Sequence, residues 1–381
     1  MSSIEKFGDV EGISQNDSGD AVCAINYPPQ YTELMDIFRA VMVSGEKSER
    51  VLELTADIIE WNAAHYTVWV VRRDVLHHLA SCENQKELYN VEMEYAESVA
   101  ISNPKNYQIW YHRREILLKL DTEEDARLEL QFIARMLEDD SKNYHAWSHR
   151  LWVLRQFKTW ENELDFTRHL LEEDAWNNSA WNHRHSVFMR DSHIIDDVSF
   201  VLEIQFVMSC IRKAGLQNES PYTYALSIAK SNSAARDCLD TAISEIIQNS
   251  NLQPQDRCCA RIIKLELLVL LDSAKANDQA ATHATILASS EDSFRIRYWT
   301  RRAWSLQNRA RQLRGEELIP FSTIPAPSTI PWAPESWFPF GYPPNIAFDP
   351  SQGGLPEYNL DSSASVPTTI YPPSPPPSSS S

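Results

Sequence analysis

Apolar residues recur along the first two-thirds of the chain at spacings of three and four, separated by short polar breaks. Val51, Leu52, Leu54, Ile58 and Ile59 share one helical face, and after a turn Trp69, Val70, Val75, Leu76 and Leu79 share another. The two segments read as a helical hairpin. Between Glu46 and Ala214 there is no glycine, and Pro104 is the only proline. A sheet-rich domain of that size needs turn glycines, so helices joined by short turns fit better.

Tryptophan marks a repeat. Trp69, Trp110, Trp147 and Trp181 are 41, 37 and 34 residues apart, and Tyr222 follows 41 later. Similar phrases surround them: Asn62 to Arg73, Asn103 to Arg114, Asp140 to Arg150, Asp174 to Arg184, and a degraded copy at Asn218 to Tyr224. Periods of this length indicate stacked supersecondary units. About seven hairpins are expected, the last two near Asn232–Asp272 and Ser273–Arg314. Asn106, Asn143 and Asn177 stand where an N-cap belongs, before the second helix of each unit. Trp and Arg then share one helical face. The Trp is read as a packing anchor, and the Arg as a residue that spans adjacent hairpins or stacks on a ring. The fold class is all-α, an α–α superhelix.

Composition narrows the function. The net charge is −18, from 35 basic and 53 acidic residues, and this argues against nucleic acid, which selects a basic face. Met1–Asn26 has no basic or apolar leader segment, and no run of about 18 apolar residues could span a membrane. Six cysteines without a C-x-x-C pair read as free thiols, and the expectation is a cytoplasmic protein. Residues 1–26 are expected to be an acidic disordered segment and 27–314 the repeat domain. Residues 315–381 form a Pro/Ser-rich tail, extended or disordered. From Ile319 onward that tail holds 16 of the 21 prolines and no Lys or Arg.

Candidate chemistry is sparse. His145 and His149 have a helical metal-ligand spacing, but the Glu of a metalloprotease helix is missing, and His149 shares its repeat position with His112 and His183. A structural role suits it better. No phosphate-binding glycine loop or nucleophile elbow is present. The informative residues are those that differ between equivalent turns. Stacking should gather Tyr66, Lys105, Tyr107, Gln108, Tyr144 and His145 on one rim beside helix N-termini. Such a rim suits a phosphate or carboxylate, or else is a solvated turn.

At these residues the sequence resembles the α subunit shared by protein farnesyltransferase and protein geranylgeranyltransferase type I. The similarity runs from about Tyr27 to about Arg314 and includes Tyr31–Val41, Ser48-Glu-Arg50 and the Asn218-Glu-Ser220 turn. The resemblance implies a right-handed crescent wrapped around a separate β subunit. That subunit carries zinc, and magnesium accompanies the diphosphate. The implied reaction moves farnesyl or geranylgeranyl from its diphosphate to the C-terminal CaaX cysteine of proteins such as Ras- and Rho-type GTPases. Lys105 then lies beside the diphosphate, with Tyr107, Asn143, Tyr144 and His145 lining the cleft. Gln108 matches a glutamine that bonds the peptide carboxylate, and Tyr66 a tyrosine beside the peptide. Catalytic roles fall to Lys105, Tyr107 and His145, and no metal is held by this chain. His65, Val70 and Tyr222-Thr223 depart from the family pattern. A Rab-type geranylgeranyltransferase α subunit and a non-enzymatic repeat scaffold are the rival readings.

Overall fold

The computed structural model describes residues 3–16, 23, 25–81, 85–191 and 195–320. Among them there are helices and no strands. After α1 (Ser3–Lys6) and α2 (Pro29–Ser44), fourteen helices pair into seven hairpins. These are α3 (Glu49–Trp61) with α4 (Tyr66–Ala80), α5 (Gln85–Ser102) with α6 (Tyr107–Leu120), and α7 (Glu123–Asp139) with α8 (Tyr144–Phe157). Then come α9 (Glu163–Glu173) with α10 (Asn178–Phe188), and α11 (Asp197–Ala214) with α12 (Glu219–Ser231). The last two are α13 (Ser233–Gln248) with α14 (Pro254–Leu270), and α15 (Ala274–Ile286) with α16 (Ile296–Arg314). Successive second helices pack on one another, α4 on α6 and so on to α14, and form one layer of an α–α solenoid.

The hairpin turn is the same device four times over. Trp69, Trp110, Trp147 and Trp181 donate Nε1–H to the carbonyl six residues back, on Ala63, Pro104, Ser141 and Ala175, at 2.8–2.9 Å. The buried indole thereby loses no hydrogen bond and fixes the turn it follows. Asn106, Asn143, Asn177 and Asn218 accept from the first amides of the second helix, at 2.8–3.2 Å. From α8 onward the cap does a second job. Asn143 Nδ2 donates to Pro104 O (3.1 Å), Asn177 Nδ2 to Ser141 O (3.0 Å) and Asn218 Nδ2 to Ala175 O (2.7 Å). Each of these carbonyls thus accepts the Trp of its own unit and the Asn of the next.

A buried clasp joins the units deeper in. Glu92 of α5 takes Arg72 of α4 (Nε, 2.7 Å) and His112 of α6 (Nε2, 2.7 Å). Glu129 takes Arg113 (2.9 Å) and His149 (2.6 Å), and Glu163 takes Arg150 (3.1 Å) and His183 (2.9 Å). Glu203 takes Arg184 (2.7 Å) and, in place of a histidine, the hydroxyl of Tyr224 (2.6 Å). The guanidinium of each Arg also lies 3.7–4.5 Å from an aromatic ring of the following unit: Tyr95, Phe132, Phe166 or Phe206. The recurring Arg therefore both spans hairpins and stacks. Burial alone would raise the Glu129 carboxyl, but Arg113 and His149 outweigh it and hold it at about 2. Burial holds His112, His149 and His183 below their ordinary value, only partly offset by their glutamates.

Two expectations need correction. The N-terminal segment is not wholly without structure. Phe7, just after α1, is 2% exposed and packs into the core. Arg50 ties the same segment down through Lys6 O (2.8 Å) and Asp9 (2.7 Å). An apolar anchor and a two-point guanidinium contact outweigh the acidic composition that suggested disorder. Val70, counted with the apolar face of α4, is half exposed and points away from the core. At the other end, Gly315 closes α16 with a left-handed φ of 72°, the usual role of glycine there. Asn308 then holds Ile319 through both backbone groups, at 2.7 and 3.0 Å. The tail beyond residue 320 lies outside the described residues.

Candidate functional site

The candidate residues sit where turns meet second helices. Tyr66, Tyr107 and Tyr144 are the first residues of α4, α6 and α8, and each exposes about two-thirds of its surface (68%, 69% and 68%). Trp contacts fix the turn beneath each, and the Asn106 and Asn143 caps add to this under Tyr107 and Tyr144, so the rings stand on a rigid base. Three large aromatics left in water by a well-packed fold call for something to cover them.

Stacking brings part of the set together. The Tyr107 ring meets His145 edge-on, with centroids 4.3 Å apart, and Tyr144 meets the same imidazole at 5.5 Å. Lys105, three-quarters exposed, reaches across to the next unit, with Nζ 3.4 Å from Asp140 Oδ2. Asp140 is itself held by Lys142 N, which donates to its other oxygen at 3.2 Å. Gln108, half-buried at the second position of α6, shares an open depression with Ala64, Lys105, Asn106 and Tyr107. Tyr66 stands one unit away, and its ring partner is His65, at 6.4 Å. Asn143 is buried, so its place in the set is as cap and cross-unit staple, with no exposed face.

Two electrostatic expectations change. The amides of Gln108, His145 and Ala146 are taken by the Asn caps, so an anion at this rim would meet side chains ahead of free helix amides. Burial pushes His145 below the ordinary histidine value, so at pH 7 its neutral, hydrogen-bonding form predominates. Lys105 is the cation of the cluster. The second histidine of the zinc-like spacing is committed elsewhere: His149 bonds Glu129 through Nε2 and meets Arg114 Nε at 3.3 Å through Nδ1. Among the described residues no group of three or more His, Cys, Asp or Glu is placed to hold a metal ion.

Residue spacing alone passed over the glutamates of the clasp. Their signal is a constant interval: Glu92, Glu129 and Glu163 each precede their histidine by 20 residues, and Glu203 precedes Tyr224 by 21. The interval is constant because both partners lie in one hairpin, while Arg-to-Glu spacings vary with the connecting loops.

A solenoid of Trp-anchored, Asn-capped hairpins with this clasp defines the class of prenyltransferase α-subunit repeat proteins. The sequence profile described as "Protein prenyltransferase alpha subunit repeat" matches residues 89–120, 127–157 and 160–191. A protein farnesyltransferase/geranylgeranyltransferase type-1 subunit alpha from Candida albicans is 32% identical over 303 residues, 77% of this chain and 94% of that protein. The chain belongs to the family of protein farnesyltransferase/geranylgeranyltransferase type-1 α subunits. The corresponding subunit from Schizosaccharomyces pombe is 38% identical over 112 residues, 29% of this chain and 36% of that one. A geranylgeranyl transferase type-2 subunit alpha from Rattus norvegicus is 41% identical over 98 residues, 25% of this chain and 17% of its own. Among solved structures, Candida albicans protein geranylgeranyltransferase-I complexed with GGPP superposes with a TM-score of 0.67. The identity is 27%, over 78% of this chain and 97% of that one.

Proposed function

We propose that this chain is the α half of a heterodimeric CaaX prenyltransferase, active only when paired with a β subunit. The observation that carries the reading is the Lys105, Tyr107, Tyr144 and His145 cluster, set on the rim of a family-typical solenoid and exposed. In the reaction, the cysteine sulfur of the acceptor forms a bond to C1 of the isoprenoid. The C1–oxygen bond breaks, and the electron pair leaves with the diphosphate. Zinc on the β subunit would lower the pKa of the acceptor thiol so that it reacts as thiolate, its proton going to solvent, and magnesium would neutralise charge on the diphosphate. Nothing in this chain is asked to hold either ion.

This chain's part is electrostatic. Lys105 sits opposite the leaving diphosphate and offsets the charge that develops there. Its contact with Asp140 is an exposed pair of small net value, so the ammonium can exchange one oxygen for another at little cost. Tyr107, Tyr144 and neutral His145 supply hydrogen-bonding edges around it. Gln108, an uncharged donor, suits the terminal carboxylate of the acceptor peptide, and Tyr66 flanks that peptide. The type-2 relative keeps a Rab-type reading as the alternative. The longer match to a type-1 subunit favours the CaaX reading.

Co-expression with a farnesyltransferase β subunit, followed by farnesyl transfer to a CaaX peptide, tests the proposal. A stoichiometric, active complex is expected. A folded chain that ignores both CaaX-type β subunits would leave a scaffold or a Rab-type subunit.

A further inference from the structure

The second helices expose a row of side chains at their first position and again four and seven residues on. On α4 the row is Tyr66, Val70, Arg73, and on α6 it is Tyr107, Tyr111, Arg114. On α8 and α10 the third position holds Leu151 and His185. Among α4, α6, α8 and α10 a guanidinium in this row is thus confined to the two units that also carry Tyr66, Lys105, Tyr107 and Gln108, and Arg261, at the same position of α14, is buried against Glu291. Each follows directly on an arginine already committed to the buried clasp, Arg72 or Arg113, so the clasp does not require it.

Arg73 lies 5.0 Å over the Tyr111 ring, and Arg114 lies 5.2 Å over the Trp152 ring, with its Nε 3.3 Å from His149 Nδ1. Among the described residues neither has a carboxylate within 4.0 Å. Arg73 Nη1 is buried and makes no hydrogen bond, and Glu115 acts on that guanidinium only at longer range. Burial weakens the proton affinity of both groups, the expected sign for a cation that has lost water without gaining an anionic partner. Around them stand Val70 (53% exposed) and Tyr111 (50% exposed). Stacked arginine beside exposed aromatic surface is the composition of an interface hot spot.

We propose that Arg73 and Arg114 are anchors that receive two carboxylate side chains of the β subunit where it covers α4, α6 and α8. The assignment deepens the heterodimer reading and rests on it. Seven residues of helix place these anchors about 10 Å from the rim tyrosines, so they grip the partner and leave the reacting groups alone. Charge selects the occupant. This chain carries a net charge of −18, and an acidic partner surface would be turned away except where preorganised cations await it. The two stacked forks match two carboxylates in shape as well as charge.

The test titrates the full chain with a purified β subunit and compares R73Q/R114Q with R73K/R114K. Both pairs keep a long stem over the ring, and the melting temperature of each chain alone is followed alongside. Glutamine at both sites is expected to weaken binding by at least about thirtyfold, with lysine in between. The assignment fails if the glutamine pair binds within threefold of the wild type, or if the lysine pair binds no better than the glutamine pair. A wild-type chain that does not bind at all would instead overturn the heterodimer reading itself.

Discussion

The buried clasp and the exposed rim lie within a few residues of each other in every unit, and they differ in what repetition does to them. The clasp is copied. Arg, Glu and a hydrogen-bonding ring recur at four successive junctions, and when histidine gives way at the last, Tyr224 brings a hydroxyl to the same carboxylate. The rim is varied. The first residue of the second helix is Tyr66, Tyr107 and Tyr144 and then Asn178 and Glu219; lysine precedes the cap at two turns, as Lys105 and Lys142, while Gln108 and His145 each occur once. A stacked repeat must solve the same packing problem at each step, so what recurs is architecture. What one unit alone carries is free to serve chemistry.

The sharpest break in that comparison is a clasp carboxylate. Glu129→Ala strands Arg113 and His149 in the core and should cost about 3–5 kcal/mol, read as a loss of urea midpoint for the isolated chain. Lys105→Ala, by contrast, should leave that midpoint within about 0.5 kcal/mol. Similar losses for the two would erase the distinction.

Acid should act on the clasp first. His112, His149 and His183 titrate below their ordinary 6.5 when folded, so below that pH the unfolded chain binds the extra protons and stability falls. Each proton taken up only on unfolding contributes about 1.4 kcal/mol per pH unit. Glu129 adds a further decline from about 4.5 toward 2, because its folded value is the depressed one. Urea midpoints at pH 7.5, 6 and 5 should therefore drop in order. A flat profile over that range would mean that the clasp leaves the histidines at their unfolded pKa, and a rise toward acid would mean that they are charged within it.

On the rim the readout is rate. Lys105→Ala in the heterodimer should lower turnover about tenfold to a hundredfold, the worth of one charge-assisted contact of about 1.5–3 kcal/mol, with assembly unchanged. A parallel loss of assembly would make Lys105 structural.

The sequence exposes these regions unequally. The hairpins, their order and the Asn caps are legible because Trp, Asn and the absence of glycine are local signals. The last two hairpins, expected at Asn232–Asp272 and Ser273–Arg314, fall on α13 with α14 and α15 with α16. The clasp glutamates Glu92, Glu129 and Glu163 sit on first helices that carry several other acids, so each looks like one more solvated position. At the rim, Tyr107, Tyr144 and His145 come together as stacking predicts, while Asn143 turns inward because its amide has two jobs. The docking of Phe7 had no local signal, since its partners lie in α2 and α3.

Asn143 is where the two regions meet, and it offers the finest test. Asn106 and Asn143 occupy the same repeat position and cap α6 and α8 alike, yet only Asn143 also donates to a neighbouring unit, at Pro104 O. Serine at either site keeps an oxygen for the cap and removes the amide donor, so the cap contribution cancels between N106S and N143S. Pro104 O still receives Trp110 Nε1 and is not orphaned, which limits the loss to one neutral hydrogen bond. N143S should thus cost about 1 kcal/mol more than N106S by urea unfolding. Equal costs would mean that the cross-unit bond adds nothing to stability. Its recurrence at Asn177 and Asn218 would then reflect how the turns are spaced, and the buried glutamates would be left as the polar link between hairpins.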